Sequence, residues 1–144
     1  MKEKICLVDS NILVYAHENS DVRKHKKSMS LLEKCWKKEI ALALSLQNLS
    51  EFYVVITSKF KNQVDKNVAK EIIEEIIEFD NWIKIKPKET TLIKAINLSN
   101  EYSIEYWDAL IAAIMIENNI TTIYTENVKD FAKIKELETI NPFD

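Results

Sequence analysis

The amino-acid sequence predicts an α/β protein, a three-layer α/β/α sandwich with a mainly parallel sheet. Short apolar segments typical of buried strands alternate with longer segments of helical periodicity, which is the pattern of parallel-sheet folds. The 144 residues suit one compact domain, and a hydrophobic share of 47% is too high for a disordered chain. Because no linker, low-complexity tract or internal repeat interrupts the pattern, we expect residues 1–144 to form a single domain.

The strands are predicted from short apolar segments. Residues 4–8 and 40–44 are almost continuously apolar, as strands covered on both faces are. Shorter segments at 82–85, 121–124 and 137–140 have a similar character, and the last of them is the weakest. These are the expected strands of the sheet.

The helices are predicted from apolar periodicity and from capping residues. Residues 65–79 have the clearest amphipathic pattern, whereas residues 105–118 are apolar almost all round and should be buried, with Ser103 as a possible N-cap. The buried face of the second helix is expected to consist of Val22, Met29, Leu32 and Trp36. The predicted helices cover residues 12–16, 21–37, 45–59, 65–79, 89–101, 105–118 and 127–133, the last as a short helix or turn.

Composition excludes several classes of protein. The chain contains no glycine, and both a P-loop and a dinucleotide-binding fingerprint need glycine where the backbone approaches phosphate. Cys6 and Cys35 form no CxxC pair and are predicted to be buried free thiols, which argues against a zinc site. No apolar run approaches the ~18 residues needed to span a bilayer, and the first residues lack a secretory signal. We therefore expect a soluble cytoplasmic protein that has no contact with membranes.

Acidic residues follow the predicted strands or begin the next helices. Asp9 ends the first strand, Asp108 lies near the start of the apolar helix, and Asn127 and Asp130 follow the fourth strand. Glu51 is six residues past Ser45, about 9 Å along its helix, and helical side chains lean toward the N-terminus. Because the carboxyl ends of parallel strands share one edge of the sheet, we expect these side chains to lie together.

Each carboxylate also has a purely structural explanation. Asp108 could be favoured in the first turn of its helix by the helix dipole. Asp9 could cap the following helix, and Glu51 could pair with a lysine. Taken together, however, three carboxylates without a compensating arginine repel one another and are costly to bury. A hard divalent cation relieves that repulsion, and oxygen ligands without histidine or cysteine indicate Mg²⁺ or Mn²⁺. Such sites activate water against phosphodiesters, so the sequence predicts a metal-dependent nuclease.

Four motifs carry a family resemblance. They are VDSNILVY at 8–15, LSEFY at 49–53, WDALIAA at 107–113 and YTENVKDF at 124–131. In this order and at these spacings they resemble the motifs of PIN-domain proteins, and more narrowly those of VapC-type toxins of toxin–antitoxin pairs. The resemblance spans nearly the whole chain.

The resemblance implies an endoribonuclease of PIN-like fold that depends on Mg²⁺ or Mn²⁺. It implies that the metal is held by Asp9 and Asp108 with the help of Glu51. Asp130 is the expected fourth catalytic acid, although the neutral Asn127 lies at the alternative position. The residues expected around these ligands are Asn11, Thr125 and Asn127. The resemblance further implies a homodimer and a small antitoxin partner whose C-terminal segment covers the site.

RNA binding is predicted for the helix near residues 22–38, although the chain as a whole has a net charge of −3. This segment has a local charge of +6, and a solvated helix face is the alternative explanation. The expected RNA contacts are Arg23, Lys24, Lys26 and Lys27. Further lysines extend the patch: Lys59, Lys61 and Lys66. The tryptophans are predicted to belong to the core and not to stack on bases: Trp36, Trp82 and Trp107.

Three other readings compete with a toxin nuclease. A phosphotransfer enzyme with Asp9 as nucleophile is the first. Phosphatases similar to haloacid dehalogenase need Asp-x-Asp after the first strand, where this chain has Asp9-Ser10-Asn11, and a receiver domain would need two acidic residues before or beside its phosphoacceptor, where only Glu3 is close. A housekeeping PIN-domain nuclease for RNA processing is the second alternative. A PIN-like binding module whose site has decayed is the third, and the neutral Asn127 favours it.

Overall fold

A five-stranded parallel sheet forms the centre of the protein, as the sequence predicts. The computed structural model describes residues 4–60 and 62–144, so that Lys61 of the predicted basic patch lies outside the described residues. The strands are β1 (Cys6–Val8), β2 (Leu42–Ser45), β3 (Trp82–Ile85), β4 (Thr122–Tyr124) and β5 (Glu138–Ile140). Their order across the sheet is β3-β2-β1-β4-β5, with every neighbouring pair parallel.

The helices lie close to their predicted positions. They are α1 (Ser10–His17), α2 (Val22–Trp36), α3 (Leu46–Ser58), α4 (Lys66–Glu78), α5 (Glu89–Tyr102), α6 (Tyr106–Glu117) and α7 (Val128–Phe131). The first helix begins two residues earlier than expected, because the Asp9 side chain accepts a hydrogen bond of 2.7 Å from the Ser10 N–H and caps it directly. No helix in the described part of the chain is both long and apolar enough to cross a membrane.

Two hydrophobic clusters cover the two faces of the sheet. On one face, Leu7 and Ala43 pack against apolar side chains of α5 and α6. On the other face, Val8 and Leu42 pack against side chains of α1 to α4. Because both faces are covered by helices, the strands are apolar on both sides, and the three-layer α/β/α sandwich predicted from the sequence is confirmed.

The predicted buried face of α2 is partly wrong. Val22 and Met29 are exposed to 58% and 49%, whereas the residues that α2 buries are Ser28, Leu31, Leu32 and Cys35. The buried face follows the spacing i, i+3, i+4, i+7 from Ser28 to Cys35. Because its first member is the polar Ser28, a search for apolar residues alone does not find this face. Both cysteines are free thiols; Cys35 is buried and Cys6 partly so.

The predicted role of Ser103 is also wrong. Ser103 ends α5 in the left-handed region, with φ of 55°, and its N–H donates to the Ser99 carbonyl. The residue that precedes α6 is Glu105, whose side chain makes no capping hydrogen bond. In a chain without glycine, an ordinary residue has to take this left-handed position, and the next helix begins only two residues after Ile104.

The order of the strands positions the functional site. The chain runs outward from β1 to β3 and then returns to the other side of β1 as β4. The loops that follow β1 and β4 therefore leave in opposite directions, and in open α/β sheets ligands bind in the crevice that forms there.

Candidate active site

A cavity of about 690 Å³ opens at the carboxyl end of β1. Asp9 reaches it from the end of β1, Glu51 from α3 and Asp108 from the first turn of α6. These three predicted acids therefore line one cavity. Glu105, which the sequence reasoning did not single out, lines it as well.

Asp9 is the most buried carboxylate of the site, with 6% of its surface exposed. Besides capping α1, its Oδ2 accepts a hydrogen bond of 2.8 Å from the Thr125 hydroxyl, and its Oδ1 accepts one of 3.4 Å from the Asn48 amide. Burial raises the pKa of the Asp9 carboxyl, although the hydrogen bonds from Thr125 and the Ser10 N–H lower it in part. The negative charge of Glu51 adds to the rise.

The Ser10 hydroxyl connects two carboxylates. It donates a hydrogen bond of 2.7 Å to Glu51 Oε1, and its oxygen lies 3.4 Å from Asp9 Oδ1. Ser10 is buried, whereas Glu51 is exposed on α3. A small hydroxyl residue directly after a strand-ending aspartate was the available sequence signal for this contact, which the sequence reasoning missed.

Asn48 ties Asp9 to the start of α3. Its Oδ1 accepts hydrogen bonds from the backbone N–H and the hydroxyl of Ser45, and its own N–H donates to the Ser45 hydroxyl, which together cap α3. Its remaining amide protons face Asp9. A fully buried asparagine in the first turn of a helix was the signal here, although only the fold identifies its partner.

A second acidic group forms around Asp108. Asp108, Glu105 and Asp130 each offer a carboxylate oxygen, and these atoms lie within 4.8 Å of one another. Burial raises the pKa of Asp108 to about 7, and the neighbouring Asp130, Asp9 and Glu105 contribute to the rise. Glu105 precedes Asp108 by about one helical turn, which was the sequence signal for its proximity.

Both residues considered for the fourth acidic position lie next to Asp108. Asp130 belongs to the close carboxylate group, and its Oδ2 accepts a hydrogen bond of 3.4 Å from the Glu105 N–H. The Asn127 amide donates to Asp108 Oδ2 over 3.4 Å, and Asn127 lines the cavity. The acidic residue and the neutral one therefore contact Asp108 side by side.

Thr125 orders the loop after β4. Its hydroxyl donates to Asp9 and accepts hydrogen bonds from the Asn11 amide at 3.2 Å and the Asn127 N–H at 3.0 Å. Asn11 in turn accepts a hydrogen bond from the Glu126 N–H. The three residues expected around the acidic ligands thus form one connected network that links α1 to the loop.

Arg23 and Lys24, two of the predicted RNA-binding residues, make contacts within the chain. The Arg23 guanidinium donates to the Phe143 carbonyl, and Lys24 forms an ion pair with Glu126, which also accepts a hydrogen bond from the Tyr15 hydroxyl. The Lys24 ammonium lies 5.2 Å from the centre of the Tyr15 ring. Both side chains therefore hold other parts of the chain, a long-range pairing that charge counting along one helix does not reveal.

Lys26 and Lys27 remain as basic residues of the predicted patch. Neither takes part in an ion pair within residues 4–60 and 62–144, and Lys26 is exposed. Of the four predicted RNA contacts, these two have side chains that make neither an ion pair nor a hydrogen bond with another described residue.

The prediction for the tryptophans holds for two of the three. Trp82 is fully buried, and Trp36 packs against it with ring centres 6.1 Å apart. Trp107, in contrast, is 55% exposed and lines the cavity beside Asp108. The prediction that Trp107 belongs to the core is wrong, because the buried residues of α6 begin only at Ala109, and Trp107, in the first turn, faces the cavity.

The residues around the cavity fit a hard divalent cation. The carboxylates come from four positions, and among the described residues that line the cavity there is no lysine, arginine, histidine or cysteine. Burial raises the pKa of two of these carboxylates, Asp9 and Asp108, and the negative charges of neighbouring carboxylates add to the rise. An oxygen-only donor set with unbalanced negative charge is what Mg²⁺ or Mn²⁺ requires.

Comparison with known proteins gives a family match and a shared fold. The PIN domain model matches residues 6–137 of the chain. None of the curated proteins compared with the chain matches it.

Several solved structures have a similar fold. VapBC2 from Rickettsia felis, bound to a DNA fragment from its promoter, has 24% sequence identity and a TM-score of 0.67, covering 95% of this chain and 98% of that chain. A toxin–antitoxin complex from Klebsiella pneumoniae has 20% identity and a TM-score of 0.65, covering 95% and 97%. VapC20 from Mycobacterium tuberculosis, described as a toxin that cleaves the sarcin–ricin loop, has 15% identity and a TM-score of 0.65, covering 90% and 94%. At these low sequence identities the comparison shows a shared fold and nothing more.

Proposed function

Because the PIN domain model matches residues 6–137, the chain belongs to the PIN-domain family, and we propose that it is a metal-dependent endoribonuclease acting as the toxin of a toxin–antitoxin pair. The observation that carries the proposal is the meeting of Asp9, Glu51 and Asp108 in one cavity that lacks a basic side chain among its described lining residues. Asp9 also caps α1, but a capping role alone does not account for the presence of Glu51 and Asp108 in the same cavity.

Asp9 and Asp108 are the proposed ligands of Mg²⁺ or Mn²⁺, with Glu51 assisting. When bound, the ion supplies charge stabilisation at a phosphoryl group and an acidified water. Ser10 and Asn48 orient Asp9, and Ser10 also orients Glu51. Asp130 is the proposed fourth acid, because its carboxylate lies in the same close group as that of Asp108.

The proposed contacts to the RNA backbone outside the cavity are Lys26 and Lys27 on α2. These lysines provide positive charge outside a cavity that is itself acidic, and phosphates are drawn to such residues. The similarity in fold to VapC20, a toxin that cleaves the sarcin–ricin loop, supports RNA as the substrate class.

An antitoxin and a second copy of the chain are the proposed protein partners. The Klebsiella complex and VapBC2 are toxin–antitoxin assemblies, which supports an antitoxin partner here. For the homodimer, support comes from an exposed aliphatic face on α5, made by Leu92, Ile93 and Ile96. Exposed apolar patches of this kind are common at protein interfaces.

Cleavage of RNA by the purified protein tests the nuclease proposal. We expect cleavage with Mg²⁺ or Mn²⁺, none in excess EDTA, and a loss of about a hundredfold in the Glu51→Gln variant. The matched control is Glu71→Gln, which neutralises an exposed glutamate on α4 far from the cavity and should keep full activity. Equal activity of both variants, or full activity in EDTA, would contradict the proposal.

Growth arrest separates a toxin from a housekeeping nuclease. Expression of the wild-type chain in a bacterial host should stop growth, and expression of Glu51→Gln should not. A chain that cleaves RNA in vitro but leaves growth unaffected would be assigned to RNA processing instead.

A further inference from the structure

Trp107 is an exposed aromatic residue at the centre of the candidate site. Its side chain is 55% exposed, although α6 otherwise consists largely of buried residues. It lines the cavity that Asp9, Glu51 and Asp108 also line. A large indole that lines a cavity and stays partly in water leaves an aromatic face free for a ligand.

We propose that Trp107 is the platform on which an unpaired base of the RNA substrate stacks, an inference that rests on the proposed nuclease function. Every nucleobase has an aromatic face, and stacking on an exposed indole binds single-stranded nucleic acid with little dependence on sequence. The proposal therefore assigns the protein to single-stranded substrates such as loops, bulges and ends.

The charge of the cavity favours a base over other ligands. The described lining residues include four carboxylates and no basic side chain, so nothing there attracts a phosphate directly. A base is uncharged at neutral pH and does not experience this repulsion. With an ion held by the carboxylates, the ion would bind the phosphate and the Trp107 indole would bind the base.

Trp107 is close enough to the proposed metal ligands for one nucleotide to place its base on the indole and its phosphate at the ion. It is the residue directly before Asp108, so the two Cα atoms are about 3.8 Å apart. The Tyr106 ring contacts the indole in an edge-to-face arrangement, with centres 5.3 Å apart and planes at 72°. This contact limits the orientations of the indole, and a restrained ring loses less entropy when a base stacks on it.

Apolar side chains also line the cavity. Val54, Phe60 and Ile111 line it together with Trp107, and Val54 is half exposed. An apolar surround excludes water from a stacked base, which strengthens the contact. A base that stacks on Trp107 would therefore enter a cavity lined by both apolar side chains and carboxylates.

Binding of a labelled, short single-stranded oligoadenylate to the Glu51→Gln variant tests the proposal. In this background, exchange of Trp107 for leucine should weaken binding about tenfold or more, because the stacking face is lost while apolar bulk remains. Trp107→Phe should keep most of the affinity. Ile77→Ala, which truncates an exposed apolar side chain on α4 outside the cavity, should bind like the parent.

A duplex of the same oligoadenylate with complementary oligouridylate provides a second comparison. Its bases are not free to stack on the protein, so its weaker binding should be the same in the parent and in Trp107→Leu. Circular dichroism melts of each variant check folding, and the exposure of Trp107 makes a folding defect unexpected. Equal affinity of the parent and Trp107→Leu for the single strand would overturn the proposal.

The outcomes distinguish this proposal from the nuclease proposal. If the wild type cleaves RNA and Trp107→Leu binds as tightly as its parent, the base platform is refuted and the nuclease stands. If the wild type cleaves no RNA but Trp107→Leu loses binding, the platform stands and the nuclease is refuted. If the leucine variant keeps its affinity for RNA but loses a cognate small protein partner, the indole belongs to a protein interface and the platform is refuted.

Discussion

The Ser10 hydroxyl lies 2.7 Å from Glu51 Oε1 and donates a hydrogen bond to it, joining the first turn of α1 to α3. The same oxygen lies 3.4 Å from Asp9 Oδ1. A neutral hydroxyl thereby holds two carboxylates in position without neutralising either of them. Their negative charge remains available to a cation, which an arginine at the same place would prevent.

Removing this hydroxyl should impair the site more than the fold. Ser10→Ala should lower RNA cleavage about 10- to 100-fold, as loss of a residue that orients metal ligands usually does. The cost in the free energy of unfolding should be only about 1 kcal/mol, the net value of an ordinary hydrogen bond. Ser10→Thr restores the hydroxyl and should recover most of the activity. Cleavage rates and urea denaturation of the three proteins provide the check, and a fully active Ser10→Ala would refute the positioning role.

Neutralising Asp108 should abolish activity without destabilising the metal-free protein. Asp108 stands among the carboxylates of Asp130, Asp9 and Glu105, so the folded state stores repulsion between them at neutral pH. In EDTA, Asp108→Asn should therefore melt at or above the wild-type temperature. Mn²⁺ should raise the melting temperature of the wild type by mass action, and that of the variant much less.

A matched control for this experiment is Asp80→Asn, which neutralises an exposed aspartate away from the cavity. It should keep both the wild-type activity and the wild-type response to Mn²⁺. An Asp108→Asn protein that is clearly destabilised in EDTA, combined with a wild type that does not respond to metal, would return Asp108 to a structural role.

The metal-free protein should lose stability as the pH rises from about 4 to about 7. An aspartate in the unfolded chain releases its proton near pH 3.9, whereas Asp108 in the folded chain holds it until about pH 7. Between these values the folded state binds more protons than the unfolded state, so raising the pH favours unfolding. Above about pH 7 both states are ionised, and this contribution stays constant.

His17 acts in the opposite direction and has to be separated. Burial, together with the nearby charge of His25, lowers the pKa of His17 to about 4, so its contribution to stability falls as the pH drops below about 6.5. The informative quantity is therefore the difference in unfolding free energy between wild type and Asp108→Asn, measured in EDTA across this range. That difference should change steadily between about pH 4 and pH 7, and a difference independent of pH would contradict the raised pKa.

The lysines of α2 should differ in their effect on RNA binding. If Lys26 and Lys27 contact phosphates, each exchange for glutamine should reduce the slope of log affinity against log salt by about 0.7 for a single strand. Lys24→Gln should instead leave the slope unchanged and lower the melting temperature, because Lys24 pairs with Glu126. RNA affinity is measured across a salt series in the Glu51→Gln background, so that the RNA is not cleaved during the measurement. An effect of Lys24 on the slope equal to that of Lys26 would contradict this division.

The sequence predicted the architecture well because strand and helix patterns are local. The alternation of apolar runs with helical periodicity requires no knowledge of distant contacts, and the end of β1 and the first turn of α6 locate Asp9 and Asp108 directly. Glu51 required one further step, the reach of a helical side chain back toward the sheet edge. All three line the predicted edge of the sheet.

What the sequence did not predict depends on contacts between distant segments. The ion pair of Lys24 joins residues 102 positions apart, and the Ser10 hydroxyl meets an acid 41 positions away. The exposure of Trp107 was missed for a different reason: it belongs to the most apolar helix of the chain, and composition alone assigns such a residue to the core. Only the three-dimensional structure shows that Trp107 lines the cavity and is not buried in the core.

Asp9 serves both the fold and the proposed chemistry, which affects how related sequences should be judged. Because it caps α1 and receives the Thr125 and Asn48 hydrogen bonds, a descendant that had lost its activity would still be selected to keep this aspartate for folding. Glu51 is an exposed residue without a comparable structural duty, so it would drift once catalysis was no longer needed. An intact Glu51 is therefore better evidence of a working enzyme than an intact Asp9.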